Sequence, residues 1–581
     1  MTAVVPVDEY ITEDWYPGFK PGRHQAPYVV EPFGTFTKAD EQRFWFLDFH
    51  WPRGLTPLGL IWNEDGYSWG SQLAAERMPL PPGRGITQRI AGTHTYASAI
   101  PVEAPGEVRE RAARLRGYLP GFLRDFERIW QQRIAELEAW WQRLRAADGA
   151  VGSLAGLAAM LADARRFHRR AFEIHFELMY PLLVNYRAFC GVCTELAIDP
   201  AEIGKFLQGR DTRIMRTDRE LGALTAAARQ AGLAPVFSAT EPERLAGTLT
   251  AAGGTAGAWM SRFGDFLQEF GYRTEGPCDV ALPSWIEDPT PALGMIKTLL
   301  QKQTDHPFEV ARRQARAERD EAIDAARSRL TRAEQQVFDE GLTSVQAANF
   351  PWWQDEHNYY IDLRVSLPLR WAALAIAERV GADGPDDTVF LSYPELAGVA
   401  AGELPYRGFR GLVTERRAYF EHWRGRRASM PKVLGTVPDT VQDPILVEIF
   451  GLNRNFLTAV TAAATSAEVR TLTGIAASGG RATGPARVLI DADDLHRVGP
   501  GEVLVCESTS PNWTPAFAKI AACVCDGGGM LSHAAIVGRE YRVPTVTACG
   551  VATVTIRDGD LIEVDGDQGV VTVLHREPRS G

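Results

Sequence analysis

The stretch Asp526-Gly527-Gly528-Gly529-Met530-Leu531-Ser532-His533-Ala534-Ala535-Ile536-Val537-Gly538-Arg539-Glu540 decides how this chain is read. An apolar, strand-like segment, Ile520 to Val524, runs into it, and three glycines then make a tight turn. Ser532 is an N-cap by residue type, and Ala534 to Tyr541 carry the pattern of a helix. His533 is therefore expected at the positive end of that helix, among backbone N–H groups that no helical carbonyl can reach. Such a terminus can hold a phosphate, and glycines let the backbone approach it closely. Gly528, Gly529 and Ser532 are the expected phosphate-binding residues. His533 is the candidate nucleophile, able to carry a phosphoryl group on a ring nitrogen. The local pattern alone also fits a histidine that merely caps a helix in a glycine-rich loop.

Working outward, residues 474 to 574 resemble the mobile phosphohistidine domain of the phosphoenolpyruvate-utilising enzymes. Gly528 to Glu540 reproduces that family's signature, with Leu531 where the family usually has Thr. Gly474-Ile475-Ala476-Ala477-Ser478-Gly479, Pro511-Asn512-Trp513-Thr514-Pro515 and Val564-Asp565-Gly566 fit it too. The resemblance implies that His533 is the residue that becomes phosphorylated. Some relatives regulate themselves by phosphorylating the Thr; Leu531 has no hydroxyl for that.

Composition narrows the partners. The chain has 581 residues, 45% of them hydrophobic and 23% charged, which predicts several domains with large cores. A formal net charge of −11 argues against nucleic acid, whose phosphates would be repelled. No apolar run is long enough to span a bilayer, and Met1 to Glu9 lacks the features of a secretory signal, so a cytoplasmic protein without a membrane role is expected. The seven cysteines are scattered and fit reduced thiols. Cys190 and Cys193 form a lone CxxC in a helical run, and Cys523 and Cys525 alternate on a strand; both pairs read as buried packing, and no metal site is expected.

The expected fold is multidomain. A large, mainly α-helical substrate domain, residues 1–470, precedes a small α/β swivelling phosphohistidine domain, residues 471–581. Residues 1 to about 100 are irregular or short-stranded, and their aromatics, Phe44 to Trp51 above all, serve as core or line a pocket for an aromatic ligand. Two long helical patterns follow, 107–147 and 153–196, the second carrying His168 and His175 on a face they could share, for packing or hydrogen bonding. Residues 307–338 read as one mixed-charge helix with a solvated face. Residues 430–442 read as a connection and 443–467 as helical again, and the region 430–473 as a whole reads as a linker that would let the last domain swing.

Two further segments carry resemblances. Phe266 to Arg273 with Trp285 to Pro289 is similar to the central domain of rifampicin phosphotransferase and of phosphoenolpyruvate synthase-like proteins. Trp352 to Asp362 resembles the central domain of aryl and antibiotic phosphotransferases. There His357, Asp355 and Glu356 crowd one helical turn, as candidates to orient or deprotonate an acceptor hydroxyl or as a structural hydrogen-bonding cluster. Arg364 and Arg370 follow; either is a candidate to meet phosphate oxygens with its guanidinium fork or to serve a surface or structural role, and Arg364 is the expected phosphate-binding residue of the two.

No Walker A loop and no ATP-grasp domain are legible, and no barrel for phosphoenolpyruvate is expected after residue 574. The order of a helical domain and then a histidine domain resembles rifampicin phosphotransferase without its ATP domain, and the phosphohistidine-bearing subunit of phenylphosphate synthase. The resemblance implies two half-reactions. A separate ATP-grasp subunit, binding ATP and Mg²⁺, would phosphorylate His533, and the group would then pass to the hydroxyl of a small aromatic acceptor such as a phenol or cresol. A phenolic hydroxyl ionises near pH ~10 when unperturbed, so a modest base suffices. The alternatives are a rifamycin-type antibiotic acceptor and a phosphorelay to another protein.

Overall fold

The aromatic N-terminal stretch is sheet. In the computed structural model, which describes residues 3–12, 14–18, 34–150, 152–274, 276–301, 307–462 and 470–576, six strands line up as β1-β6-β3-β5-β4-β2. They are β1 Ala3–Val5, β2 Gly34–Thr35, β3 Phe44–Leu47, β4 Gly83–Ala91, β5 His94–Pro101 and β6 Val433–Val437. β3 places Trp45 and Leu47 in the core with Val7, Phe36 and Tyr96. β6 pairs antiparallel with both β1 and β3. Part of the expected 430–473 linker is therefore a sheet strand, because Val433, Leu434 and Val437 carry apolar side chains that the sheet buries. Helices Pro444–Glu448 and Arg454–Ala462 form within the expected helical stretch 443–467, and residues 463–469 lie outside the described residues.

The two long helices form as their periodicity predicts, Pro105–Ala147 and Leu154–Glu195. The first buries Phe122, Phe126, Trp130, Leu137, Trp141 and Leu144 at three- and four-residue spacing. Between the sheet strands runs a nine-residue π-helix, Asn63–Ser71. Its glycines are sterically required: a Cβ on Gly70 would come within 2.8 Å of the Phe172 carbonyl oxygen.

Two compact units result. One comprises residues 1–186, 278–281 and 360–446; the other comprises 187–277, 282–359 and 447–581. The sequence boundary at 470/471 falls inside the second unit. Helical segments such as Arg213–Gln230, Gly254–Phe270 and Arg332–Ala347 join the C-terminal domain in the second unit. The mixed-charge segment is also two helices rather than one, Pro307–Ser328 and Arg332–Ala347, because Thr331 and Glu334 form a capping box that starts a new helix.

The C-terminal domain is an eight-stranded sheet in the order β7-β14-β13-β9-β10-β11-β12-β8. Its strands are β7 Thr471–Thr473, β8 Ile475–Ser478, β9 Arg481–Leu489, β10 Val503–Cys506, β11 Ala522–Cys525, β12 Thr545–Thr547, β13 Leu561–Asp565 and β14 Val570–His575. β9 to β12 are parallel neighbours and the rest pair antiparallel. Both faces of β10 and β11 are buried, so these two strands read as continuous apolar runs. Val503, Val505 and Val524 pack on one face with Ile562 and Val571. Leu504, Cys506, Cys523 and Cys525 pack on the other with Trp513, Phe517 and Val537. The helix His533–Tyr541 crosses from β11 to β12, which sets its N-terminus at the carboxyl ends of the parallel strands.

The glycine loop after β11 is held by the segment that follows residue 446. Gly528 N–H donates to Phe450 O at 2.8 Å, Gly529 N–H to Ile449 O at 2.9 Å, and Leu531 N–H to Glu448 O at 2.8 Å. Gly451 closes this pairing at φ +75°, where a Cβ would lie 2.4 Å from Gly528 O. Replacing Gly451 by Ala is expected to cost at least ~1 kcal/mol through the left-handed backbone alone, and the clash adds to it. Thermal unfolding should show the midpoint of the second unit lowered by at least ~2–4 °C. An unchanged midpoint would mean that the loop is not anchored in this way.

Candidate functional site

Ser532 caps the helix His533–Tyr541, its side chain accepting from Ala535 N–H at 3.4 Å. His533 is the first helical residue and is partly solvent-accessible. Two hydroxyls hold its ring. Thr509 Oγ1 lies 2.9 Å from Nδ1, and Thr514 Oγ1 lies 3.1 Å from Nε2. Phe517 stands edge-on to the ring, with centroids 6.4 Å apart. Both threonines come from the loop after β10: Pro511–Trp513 makes a short 3₁₀ turn, and Thr514 begins the helix Thr514–Phe517.

The hydroxyls determine the tautomer. Thr514 donates its only hydroxyl proton to Pro511 O at 2.8 Å, so it can only accept from the imidazole. Nε2 then carries the ring proton, and Nδ1 accepts from Thr509. Arg273, buried within the second unit, donates from Nη2 to the same Pro511 carbonyl at 3.0 Å and stacks over Trp285 at 4.3 Å. Desolvation, followed by the Arg273 guanidinium, pushes His533 down to a pKa of about 3. The imidazole is therefore neutral at physiological pH, the state a nucleophile needs, and the cation that keeps it neutral is of the sign that attracts a phosphoryl group.

The other expected residues fall differently. The amides of Gly528 and Gly529 do not face a phosphate in this structure, because both donate to the 449–450 carbonyls. His357 is fully buried, stacked on Trp353 at 4.3 Å with Nδ1 3.1 Å from Trp353 O, and desolvation lowers it to about 4. Asp355 and Glu356 hold the start of the helix Arg213–Gln230. Asp355 accepts from the hydroxyl of the N-cap Thr212, and Glu356 accepts from Arg213 N–H at 2.6 Å. These positions speak for packing and capping rather than proton transfer. Arg364, in the first unit, pairs with Glu138 at 2.8 Å and stacks over Trp141. Arg370 donates to Val280 O and Ala281 O.

Sequence reasoning did not single out Thr509, Thr514 or Arg273. Thr514 and Arg273 lie in segments noted for their resemblance, but one chain gives no sign that they converge across 241 positions of sequence on one ring. The thiols of Cys506, Cys523 and Cys525 also converge, with Sγ atoms of neighbouring pairs 3.6 and 3.7 Å apart in the dry core between strands and helix. Their surroundings are those of apolar packing.

Buried acids gather where the C-terminal domain meets the helices of its own unit. Tyr541 O–H donates to Asp218 at 2.8 Å, and Glu540 accepts from Gly209 N–H at 2.8 Å. Desolvation raises Asp218 to about 7, Asp355 to about 6 and Glu356 to about 7.

The fold and site together define a mobile domain of the phosphoenolpyruvate-utilising kind, a small α/β domain with a histidine at the head of its crossover helix. Residues 498–569 match the family described as PEP-utilising enzyme, mobile domain, and residues 184–349 match the rifampicin phosphotransferase fourth domain. The chain thus carries a PEP-utiliser mobile domain behind a fourth domain of the rifampicin phosphotransferase type. It is 30% identical to chondramide synthase cmdD of Chondromyces crocatus, over 92% of this chain and 14% of that protein. It is 30% identical to the uncharacterized phosphotransferase YvkC of Bacillus subtilis, over 71% of this chain and 48% of that one. Rifampicin phosphotransferase of Bacillus subtilis is 26% identical over 53% of this chain and 34% of its own length. The chain therefore spans less than half the length of each of these relatives.

Two outcomes follow from the electrostatics. Arg273→Met should raise the His533 pKa, read from the imidazole resonances in an NMR pH titration; an unmoved midpoint would show that the guanidinium does not act on the ring. Asp218, Asp355 and Glu356 keep their protons to higher pH when folded than when unfolded. The folded state then binds more protons between about pH 4 and 7, so their contribution to stability is full at the acid end and is lost as pH rises through 7. Hydrogen-exchange protection of the first turns of Arg213–Gln230, corrected for intrinsic rates, should fall from pH 5 to 8. A flat or rising profile would contradict this.

Proposed function

We propose that this chain is the phosphoryl-carrying component of a phosphotransferase that works in two half-reactions. His533 would receive a phosphoryl group from ATP, bound with Mg²⁺ on a separate ATP-grasp subunit, and would pass it to the hydroxyl of a small aromatic acceptor, giving an aryl phosphate. The observation that carries this reading is the neutral imidazole of His533 at a helix N-terminus, gripped by Thr509 and Thr514 and flanked by Arg273. A neutral ring has the lone pair that attacks phosphorus, and the helix terminus and the guanidinium offset the charge that arrives. A covalent carrier lets one group visit a donor site and an acceptor site in turn, each closed to water. The match to the rifampicin phosphotransferase fourth domain favours a second reading, in which the acceptor is a rifamycin-type hydroxyl on a larger molecule.

Mixing the chain with an ATP-grasp partner, Mg²⁺ and γ-labelled ATP is expected to give an acid-labile, base-stable label that His533→Ala removes. Label persisting on that variant would refute the assignment. A panel running from phenol and cresols to rifamycins then separates the two acceptors by which compound discharges the labelled chain.

A further inference from the structure

A second imidazole is built for proton transfer, in the first unit. His50 Nδ1 lies 2.6 Å from Asp48 Oδ1, and the same oxygen accepts His50 N–H at 2.9 Å. Asp48 is 1% exposed, and its other oxygen accepts the Tyr67 hydroxyl at 2.5 Å. Arg427 fixes the Asp48 backbone by donating to its carbonyl at 2.8 Å. A carboxylate tied to Nδ1 keeps the proton there, so Nε2 is the basic nitrogen of the ring. The Tyr67 hydroxyl arrives through the π-helix Asn63–Ser71, a rare geometry found often at functional sites. Gly66 belongs to that device, since a Cβ there would lie 3.3 Å from the Trp62 ring.

Aromatic side chains surround the imidazole. Trp51 and Trp62 meet at 4.1 Å, and the His50 ring stands 5.4 Å from Trp51 and 6.4 Å from Trp62. The His50 side chain is 40% exposed, and desolvation is the largest influence on its titration. The Asp48 carboxylate, with Asp362, more than offsets that desolvation and holds His50 above the ordinary histidine value. Desolvation in turn raises Asp362 to about 6, with His50 and the Cys278 thiol acting against it. Asp48, Tyr67, Asp362 and Cys278 are titratable groups around this ring, and a ring nitrogen of His175 lies within 4.8 Å of an Asp362 carboxylate oxygen.

We infer that His50 is the general base of the acceptor site, positioned by Asp48, with Trp51 and Trp62 holding the ring of a phenol-like acceptor. This rests on the phosphocarrier reading above and names a further candidate base. In the transfer step the acceptor's hydroxyl proton passes to His50 Nε2 as its oxygen bonds to phosphorus. The P–N bond to His533 breaks, and its electron pair returns to that ring nitrogen. The His533 ring leaves neutral because its second nitrogen carries a proton, and His50 ends as an imidazolium beside the Asp48 carboxylate.

The test uses the full chain phosphorylated with labelled phosphoramidate, which needs no partner protein, and follows single-turnover transfer to p-cresol from pH 6 to 9. His50→Asn should load like the parent but transfer about 100-fold more slowly, as loss of a general base predicts. Asp48→Asn should move the midpoint of the pH–rate profile to lower pH, which a purely structural role would not do. His50→Asn transferring at the parental rate, or an unmoved Asp48→Asn midpoint, overturns the inference and leaves the carrier reading intact. If the parent chain neither loads nor transfers, the carrier reading fails, and binding decides this site alone. p-Cresol titrated against the unphosphorylated chain should then shift the His50 imidazole resonance, and a resonance that stays put overturns the inference.

Discussion

The site depends on one constraint: the His533 imidazole must stay unprotonated while sitting where negative charge is welcome. Two features of the fold meet that demand together. Withdrawal from water penalises the imidazolium, and the Arg273 guanidinium repels it. The same guanidinium and the helix terminus favour an arriving anion. Thr514, committed to Pro511 O, and Thr509 then fix which ring nitrogen holds the proton. Using both nitrogens of His533 in turn requires one of these hydroxyls to rotate, so the loop after β10 sets the ring's chemistry as much as its position.

Around this ring the second unit is held by contacts of moderate strength. The glycine loop is tied by three backbone hydrogen bonds to residues 448–450, and the crossover helix ends in Glu540 and Tyr541, which meet Gly209 and Asp218. Several of these partners are acids kept from water, whose ionisation favours opening. An interface of this kind is neither a rigid core nor a bare surface. It suits the carrier role proposed above, in which the histidine is held in one place and later presented in another.

The C-terminal domain was largely legible from sequence, because its information is local. Val503 to Val505 and Ala522 to Cys525 are apolar runs bounded by turn residues, Thr545 to Thr547 is a short β-branched run, and each forms a strand. Ser532 is the N-cap that residue type predicts. The misses are non-local. Val433 to Val437 looks like a connection because its partners, Ala3–Val5 and Phe44–Leu47, lie hundreds of positions earlier. His357, Asp355 and Glu356 form a chemically suggestive turn in sequence, yet burial and the N-terminus of another helix claim them. His50 and Asp48 stood in plain view among aromatics, and only the approach of Tyr67 through an unusual helix separates them from ordinary core residues.

The most direct test of the account is to locate the phosphoryl group. The chain would be phosphorylated with phosphoramidate, examined by ³¹P NMR, digested at alkaline pH and sequenced by tandem mass spectrometry with a fragmentation method that spares P–N bonds. The account predicts one phosphoramidate resonance that disappears on acidification, and a modified peptide whose only altered residue is His533. A phosphoryl group found on another side chain, with His533 unmodified, would contradict it.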